Sequence, residues 1–331
     1  MTMGLRGVSL FFAFMFVAMG VLSPSVSAAS YQQVFADKNA TGEALATAFF
    51  DLLSQTGSPA GTVGTTPAQD AASKALVKPY LDPAFLLQRA TGERATAATY
   101  LPADVDRFAI GDVRVTRPAE GVYVVRYSIR ATETLPDTAL VMSQSKAPRL
   151  TVFHWSPADA RWKVLSHANF NTPVAAICDP NPLVNNGLAS PANAHNQALG
   201  EKLIGTFYDL VMKGDSAPIL NANIQFQSAS GAGYTTLAER KKSTQYQKIT
   251  FRDAVVTRNG PLLVVSTYNT TEDRTLMQNT YLRASEAGNM STFLQGPDGQ
   301  WSMIAVAAFA PAKALPDGVA CVKPGPVEQA P

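Results

Sequence analysis

The sequence has little charge and few histidines or cysteines. Charged residues make up 16% of its 331 residues, well below the roughly 25% that is typical of soluble domains. The formal net charge is +2, and the one dense basic run is residues 240–242. A solvated helix end explains that run, whereas a nucleic-acid surface needs a concentrated basic patch. The composition therefore argues against a nucleic-acid partner.

Motifs for metals, phosphates and nucleophilic catalysis are also missing. The three histidines and two cysteines form no cluster with ligand spacing, which predicts that no metal is bound. The glycines of residues 57–64 are not followed by the Lys of a phosphate loop, and no G-x-S-x-G nucleophile elbow occurs. We therefore expect no cofactor.

The two cysteines are Cys178 and Cys321. An exported chain with a small, even number of cysteines usually pairs them. A bridge between these two would join the predicted linker (174–195) to the predicted C-terminal tail (312–331) and close a long loop. The alternative is two unrelated free thiols.

Long apolar runs are confined to the N terminus. Arg6 precedes 15 mainly apolar residues, 8–22, and small residues at Val26 and Ala28 occupy the −3 and −1 positions of a cleavage site. This pattern predicts a signal peptide over residues 1–28 and an exported protein, periplasmic or secreted. The alternative is a retained anchor, but the run is shorter than the ~20 residues that span a bilayer. After cleavage we expect no membrane-embedded segment.

The rest of the chain contains a repeat. Residues 153–170 and 293–309 each read as a strand, a turn with Pro and Asp, and a second strand that begins at Trp and ends at Phe. Trp162 matches Trp301 and Phe170 matches Phe309, both at an offset of 139. A second strand pair also recurs, since GDVRVTR at 111–117 matches RDAVVTR at 252–258, and each continues through a turn into a β-rich run.

An amphipathic helix precedes the strands in each copy. Four apolar residues at i, i+4, i+7 and i+8 predict the helix, and all four recur at an offset of 158: Leu45, Phe49, Leu52 and Leu53, then Leu203, Phe207, Leu210 and Val211. The two offsets differ by 19, so the first copy has an insertion. Within it, Thr66-Pro67-Ala68-Gln69 predicts a capped helix that runs to about Val77.

This order of elements resembles the nuclear transport factor 2-like superfamily, in particular its SnoaL-like branch. The resemblance covers residues 41–173 and 196–311. It implies an α+β fold of two tandem cone-shaped domains, each a curved antiparallel sheet wrapped around N-terminal helices with a pocket at the open end. The expected organisation is a signal peptide (1–28), a first domain (41–173), a linker (174–195), a second domain (196–311) and a tail (312–331).

The closing strands predict how the domains meet. Simple alternation places Trp162, Val164, Ser166, Ala168 and Phe170 on one face. In the second copy, alternation puts Trp301, Met303, Ala305, Ala307 and Phe309 on one face and Ile304, Val306 and Ala308 on the other. A strand that is apolar on both faces is buried on both sides. We therefore expect the domains to pack on each other as an intramolecular pseudo-dimer.

Differences between the copies indicate where a site would lie. His154, His167 and Asn169 of the first copy correspond to Leu294, Val306 and Ala308 of the second. With Tyr127 on a central strand, these residues are the predicted ligand-binding set of the first domain. His167 is a candidate general base, since its unperturbed pKa is about 6.5. The alternatives for His167 are a half-buried structural residue at the domain interface or an exposed one on the outer face of the sheet. The alternatives for Tyr127 are a core aromatic or a member of a surface cross-strand pair.

These observations leave several functions open. Enzymes of the superfamily that the chain resembles use Asp, His, Arg and Tyr side chains that project into the cone. No intact set of that kind can be matched in this sequence. We therefore expect an exported module that binds a small apolar molecule or a partner protein, and an enzyme is less expected. The alternatives are an isomerase, dehydratase or hydrolase that uses the first domain's pocket, and an envelope-assembly scaffold.

Overall fold

The computed structural model describes residues 30–56, 66–135, 140–142, 145–176, 188–229, 231–239, 246–273 and 285–311. The predicted signal peptide, Cys178, Cys321 and the predicted tail lie outside these residues, so their predictions stay predictions. In the described part of the chain, every helix is too short or too polar to cross a membrane.

Two α+β units follow one another. Unit one consists of α1 (Tyr31–Ala36), α2 (Gly42–Leu53), α3 (Pro67–Val77), β1 (Leu81–Arg89), β2 (Arg94–Thr96), β3 (Asp104–Ala119), β4 (Val122–Leu135), β5 (Leu140–Met142), β6 (Ala147–Ser156), β7 (Arg161–Asn169) and β8 (Pro173–Ala176). Unit two consists of α4 (Ala194–Met212), β9 (Leu220–Ser228), β10 (Gly233–Tyr234), β11 (Tyr246–Asn259), β12 (Leu262–Asp273), β13 (Ser285–Gln295) and β14 (Trp301–Pro311). Short 3-10 turns, Lys78–Tyr80, Ala217–Ile219 and Leu237–Glu239, complete the two units.

Each unit forms one sheet with its helices on one face. The strand order is β2-β1-β7-β6-β4-β5-β8 in unit one, with β3 also paired to β4, and β10-β9-β14-β13-β12-β11 in unit two. This repeated order of helix, strand, long hairpin and closing hairpin confirms the predicted α+β fold of two tandem units. The inserted helix is confirmed as α3, which begins at Pro67 and is capped by Thr66 in a capping box with Gln69.

The sheets are mixed, whereas antiparallel sheets were predicted. β1 lies parallel to β7, and β9 lies parallel to β14. A parallel pair needs a long crossover connection. The strands between β1 and β7 supply that connection in unit one, and those between β9 and β14 supply it in unit two.

The predicted faces of the closing strands are wrong because each strand contains a bulge. In β7, Val164 pairs with Phe153 whereas Ser166 pairs with Val152, so Leu165 is an extra residue. An extra residue in one strand of an antiparallel pair shifts the alternation of faces by one.

The bulge places Trp162 of β7 and Phe170, which directly follows β7, on opposite faces of the sheet, whereas simple alternation would place them on the same face. Trp162 lies in the core beneath the helices of unit one, whereas Phe170 lies in a core between the two sheets. β14 has the same irregularity, where Ile304 is the extra residue. Trp301 accordingly packs on the helix side of unit two, and Phe309 lies between the sheets.

The outer faces of the two sheets pack against each other. Their shared core contains apolar side chains from both units, among them Ala84, Leu86, Val124, Leu150, Val152, Leu165, Phe170, Leu262, Val264, Met290, Ile304, Ala307 and Phe309. Hydrogen bonds cross the same contact. Thr257 Oγ1 donates to the carbonyl of Ala84 at 2.6 Å, and Gln225 Nε2 donates to the carbonyl of Val124 at 2.7 Å.

Candidate functional site

The interior of unit one, between its helices and its sheet, contains a chain of polar side chains. Tyr127 on β4, Thr151 on β6 and His167 on β7 lie side by side on neighbouring strands. The Tyr127 hydroxyl is 3.0 Å from Thr151 Oγ1, which is 2.8 Å from His167 Nδ1. The rings of Phe49 and Phe50 on α2 meet the imidazole edge to face, with centroids 5.2 and 6.2 Å away. The hydrogen bonds and rings hold the imidazole in a fixed orientation.

Two ion pairs lie in the same interior. Arg149 Nη2 donates to both carboxylate oxygens of Glu133, at 2.8 and 3.0 Å, and Asn171 Nδ2 donates to the same carboxylate at 3.0 Å. Arg89 Nη1 lies 3.3 Å from Glu93 Oε2. All four charged side chains are buried. Because each charge has a counter-charge, the interior is close to neutral overall.

Burial and the two guanidinium groups set the protonation state of His167. Burial lowers its pKa well below the usual value, and the positive charges of Arg149 and Arg89 lower it further. Burial raises the pKa of Tyr127, which keeps the phenol protonated. His167 is therefore a neutral imidazole at neutral pH. Only 3% of its surface is exposed, so a substrate would have to open the interior of unit one to reach it.

The structure brings together some of the predicted ligand-binding residues. Tyr127 and His167 belong to one hydrogen-bonded chain, and only 2% of Tyr127 is exposed. Asn169 is buried on the same strand as His167, and its Oδ1 accepts a hydrogen bond from the backbone amide of Asn171 at 2.9 Å. Ligand binding by these side chains stays a prediction.

His154 is separated from that group because it lies at the perimeter of the contact between the sheets. Its Nδ1 is 3.1 Å from Oδ2 of Asp82, a carboxylate with no exposed surface. Asn259 of unit two donates to both oxygens of this carboxylate, at 3.1 and 2.9 Å, and the amide of Ala84 donates at 2.8 Å. His154 and Asp82 thus take part in a link between the units.

At four interior positions on its strands, unit two has smaller, uncharged side chains. The positions of Tyr127, Arg149, Thr151 and His167 are taken by Thr267, Asn289, Ser291 and Val306. On α4, Tyr208 occupies the position of Phe50 and accepts a hydrogen bond from Asn269 Nδ2. Asn269 Oδ1 in turn accepts from Thr267 Oγ1 at 2.8 Å. Burial raises the pKa of Tyr208 to about 12, so this group of hydrogen-bonding side chains carries no charge.

Unit two exposes apolar side chains that unit one buries completely. Four matched pairs show this, each with a buried member in unit one and a half-buried member in unit two: Leu45 and Leu203, Phe49 and Phe207, Leu52 and Leu210, and Leu87 and Phe226. The difference arises because more helices cover the interior of unit one than cover that of unit two among the described residues. In unit one, α1 packs on α2 and the insertion with α3 precedes β1. In unit two, only a turn and a 3-10 turn separate α4 from β9.

The half-buried side chains of unit two are largely aromatic. The Phe207 and Tyr208 rings are 5.3 Å apart, Tyr208 and Phe251 are 6.0 Å apart, and Phe226 stacks on Tyr234 at 5.1 Å. We call this group of side chains, the half-buried Leu203, Phe207, Phe226 and Phe251 together with Tyr208, Thr267 and Asn269, the unit-two pocket, and a ligand space among them is proposed below. Sequence reasoning missed it, although the insertion found only in the first copy indicated that the second copy has less cover.

Two further features of the described residues are a cleft and the lack of a metal-binding group of side chains. A shallow cleft of about 560 Å³ lies beside α1 and α2, lined by Gln33, Val34, Asp37, Asn39, Ala40, Thr41 and Ala44. Within the described ranges, His, Cys, Asp and Glu side chains form no group of three or more that is placed to hold a metal ion.

Comparison with solved structures finds proteins that each match between 33% and 38% of this chain. No family model and no curated protein matches it. A putative ketosteroid isomerase from Shewanella frigidimarina is 16% identical with a TM-score of 0.29, over 33% of this chain and 93% of that one. An NTF2-like protein from Cytophaga hutchinsonii is 20% identical with a TM-score of 0.29, over 36% of this chain and 99% of that one. An NTF2-like protein with a cystatin-like fold from Novosphingobium aromaticivorans is 15% identical with a TM-score of 0.29, over 38% of this chain and 84% of that one. These values say nothing about what the chain binds.

Proposed function

We propose that this protein is a binding module that takes an apolar small molecule into the unit-two pocket. The observation that supports it is the set of four matched pairs, in which apolar side chains buried in unit one are half-buried in unit two. Small-molecule sites are concave and mostly apolar or aromatic, with a few polar groups that fix orientation. Phe207, Phe226 and Phe251 supply the apolar wall, and Tyr208 and Asn269 supply the polar groups.

The comparison of the two repeats also supports a ligand site in unit two. Unit one fills its interior with its own Tyr127, Arg149 and His167, all buried. Unit two has smaller residues at these positions and no covering helix comparable to α1 or α3 among its described residues. A ligand in unit two would take the volume that side chains occupy in unit one. The proposal includes export, because residues 1–28 have the pattern of a signal peptide; N-terminal sequencing of the mature protein tests that part.

A fluorescence titration with Nile red, an uncharged apolar dye, tests the binding site. The variant that carries both Thr267→Tyr and Val306→His places the side chains of unit one in unit two. It should weaken dye binding by roughly tenfold or more, because the added side chains occupy the space for the ligand. The matched control is His167→Val, which makes the reverse change in unit one and should leave the dye affinity unchanged.

Both variants must first show a cooperative urea transition, so that loss of binding is not loss of fold. Dye binding that survives in the Thr267→Tyr, Val306→His protein and disappears in His167→Val would contradict the proposal. That result would place the site in unit one, at the residues predicted from the sequence.

A further inference from the structure

We infer that the unit-two pocket selects an uncharged ligand with one hydroxyl or amide group, which binds Asn269. This inference rests on the proposed function and goes beyond it, because apolar walls alone do not distinguish a neutral molecule from an amphipathic ion. The polar side chains at the base of the pocket make that distinction.

The first step concerns charge. Asn289 stands where unit one has Arg149, and Val306 stands where unit one has His167. Asn289 Oδ1 accepts a hydrogen bond from Ser291 Oγ at 3.0 Å, so this position is polar but neutral. No residue of the unit-two pocket is ionised at neutral pH, since Tyr208 has its pKa raised by burial. A carboxylate or ammonium group brought here would lose water and meet no counter-charge among the described side chains of the pocket, which disfavours its binding.

The second step counts hydrogen-bonding capacity. An Asn side chain has two N–H donors and an oxygen with two lone pairs. Asn269 uses one donor on Tyr208 and one lone pair on Thr267. One N–H and one lone pair remain beyond these two bonds. A ligand hydroxyl or amide can accept from the first and donate to the second, which a ketone or an ether cannot do.

The third step concerns position. Asn269 is buried, yet it lies in the same interior as the half-buried Phe207 and Phe251, since Tyr208 contacts both rings as well as Asn269. A ligand that packs its apolar body on these rings therefore places its polar end near Asn269. In unit one, Ile129 takes the position of Asn269, so the hydrogen-bonding group is a feature of unit two alone.

A matched series of competitors tests the inference on the mature chain. 1-Adamantanol, 1-adamantanecarboxylate and 1-adamantanamine share one apolar body and differ in charge, and each is titrated against bound Nile red. The alcohol should displace the dye at a concentration lower by roughly tenfold or more than either ion, because only the ions bury an unpaired charge. In Asn269→Asp the order should change so that the ammonium ion competes best.

Asn269→Leu provides the second variant in case the new carboxylate prevents folding. Its affinity for the alcohol, taken relative to its own affinity for Nile red, should fall roughly three- to tenfold from the wild-type ratio, since one or two hydrogen bonds to the alcohol are removed. If the dye binds but the carboxylate competes as well as the alcohol, the inference is wrong and the proposed function stands. If the wild type binds no dye, both are wrong.

Discussion

Phe170 and Phe309, which occupy the same position in the two repeats, stack on each other with ring centroids 4.4 Å apart and planes 19° apart. Equivalent residues of two copies touch when the copies are related by an approximate two-fold axis that passes near the contact. The strands agree with this relation. β1 of unit one contacts β11 of unit two, and β9 of unit two contacts β3 of unit one, as an isologous arrangement requires.

The stacked pair predicts that the two units unfold together. Phe309→Ala should lower the free energy of unfolding by about 3–5 kcal/mol, because it removes a buried ring and leaves a cavity. A double-mutant cycle with Phe170→Ala should give a coupling of about 0.5–1.5 kcal/mol, the usual value for an aromatic pair. Urea denaturation followed by fluorescence and by far-UV circular dichroism should show one coincident transition.

Val115→Ala is the matched control, since Val115 is 40% exposed and its truncation should cost less than about 1 kcal/mol. Two separate transitions in the wild type would show that the units fold independently and that the ring contact does not couple them.

The buried Arg149–Glu133 pair predicts a loss of stability when one partner is removed. Glu133→Gln leaves the Arg149 guanidinium without its counter-charge and should cost about 3–5 kcal/mol. The Arg149→Met, Glu133→Leu double variant should cost much less, because no buried charge remains. Lys146 and Asp112 form an exposed pair, so Lys146→Ala should change the stability by less than about 1 kcal/mol.

The stabilisation that the Arg149–Glu133 pair contributes also depends on pH. Burial alone would raise the pKa of Glu133, but Arg149 and the hydrogen bond from Asn171 outweigh it and hold the pKa below its usual value. A lowered pKa in the folded state means that the stabilisation is fully present above the unfolded value of about 4.3. The stabilisation is lost as the pH falls through the lower pKa that Glu133 has in the folded state. Equal acid sensitivity of wild type and the double variant would contradict this account.

Much of the architecture could be predicted because it is local. Leu45, Phe49 and their repeats marked the helices by periodicity, and Trp162 and Trp301 marked the closing hairpins. The faces of those hairpins could not be predicted, since one extra residue at Leu165 reverses the alternation and no residue type signals it. The charged interior was missed for a different reason. Arg149 follows Pro148 and precedes Leu150, and neither neighbour marks it as buried. Its ion pair with Glu133 on the adjacent strand makes the burial possible.

The neutral His167 predicts a pH dependence of stability near pH 6. Because its folded pKa is lowered, the unfolded state takes up a proton below about pH 6.5 that the folded state does not. The stabilisation is therefore complete above pH 6.5 and is lost as the pH falls below it. Between pH 7.5 and 5.5 the wild type should lose about 1.4 kcal/mol more than His167→Val does.

Urea unfolding at the two pH values measures this difference. His195→Gln, which removes an exposed imidazole, is the matched control and should retain the wild-type loss. Parallel stability profiles for wild type and His167→Val would mean that the folded state protonates His167 as readily as the unfolded chain does.

A repeated glycine contact predicts opposite effects of the same substitution at two places in α4. A Cβ atom on Gly200 would lie 2.7 and 2.9 Å from the two methyl groups of Val256. Gly42 has the same relation to Val115 in unit one, with 2.7 Å as the shortest distance, so each helix approaches its hairpin at a glycine. The recurrence of Gly42 and Gly200 at the offset of the helix repeat is visible in the sequence, but its cause becomes clear only from the contact.

Glycine inside a helix costs about 1 kcal/mol relative to alanine, so propensity alone favours the change to alanine. At Gly200 the clash outweighs propensity, because Val256 lies in the core of unit two with no exposed surface. Gly200→Ala should therefore destabilise the protein by about 1–3 kcal/mol, the cost of overpacking. Gly205 lies five residues further along α4, where the nearest atom, Phe251 Cε1, would be 3.8 Å from a new Cβ. Gly205→Ala should therefore stabilise the protein by about 0.5–1 kcal/mol.

A double variant tests the cause of the clash. Adding Val256→Ala to Gly200→Ala should recover part of the loss, since the smaller side chain makes room for the methyl group. If both glycine variants raise the urea midpoint, helix propensity and not the close contact sets the stability of α4.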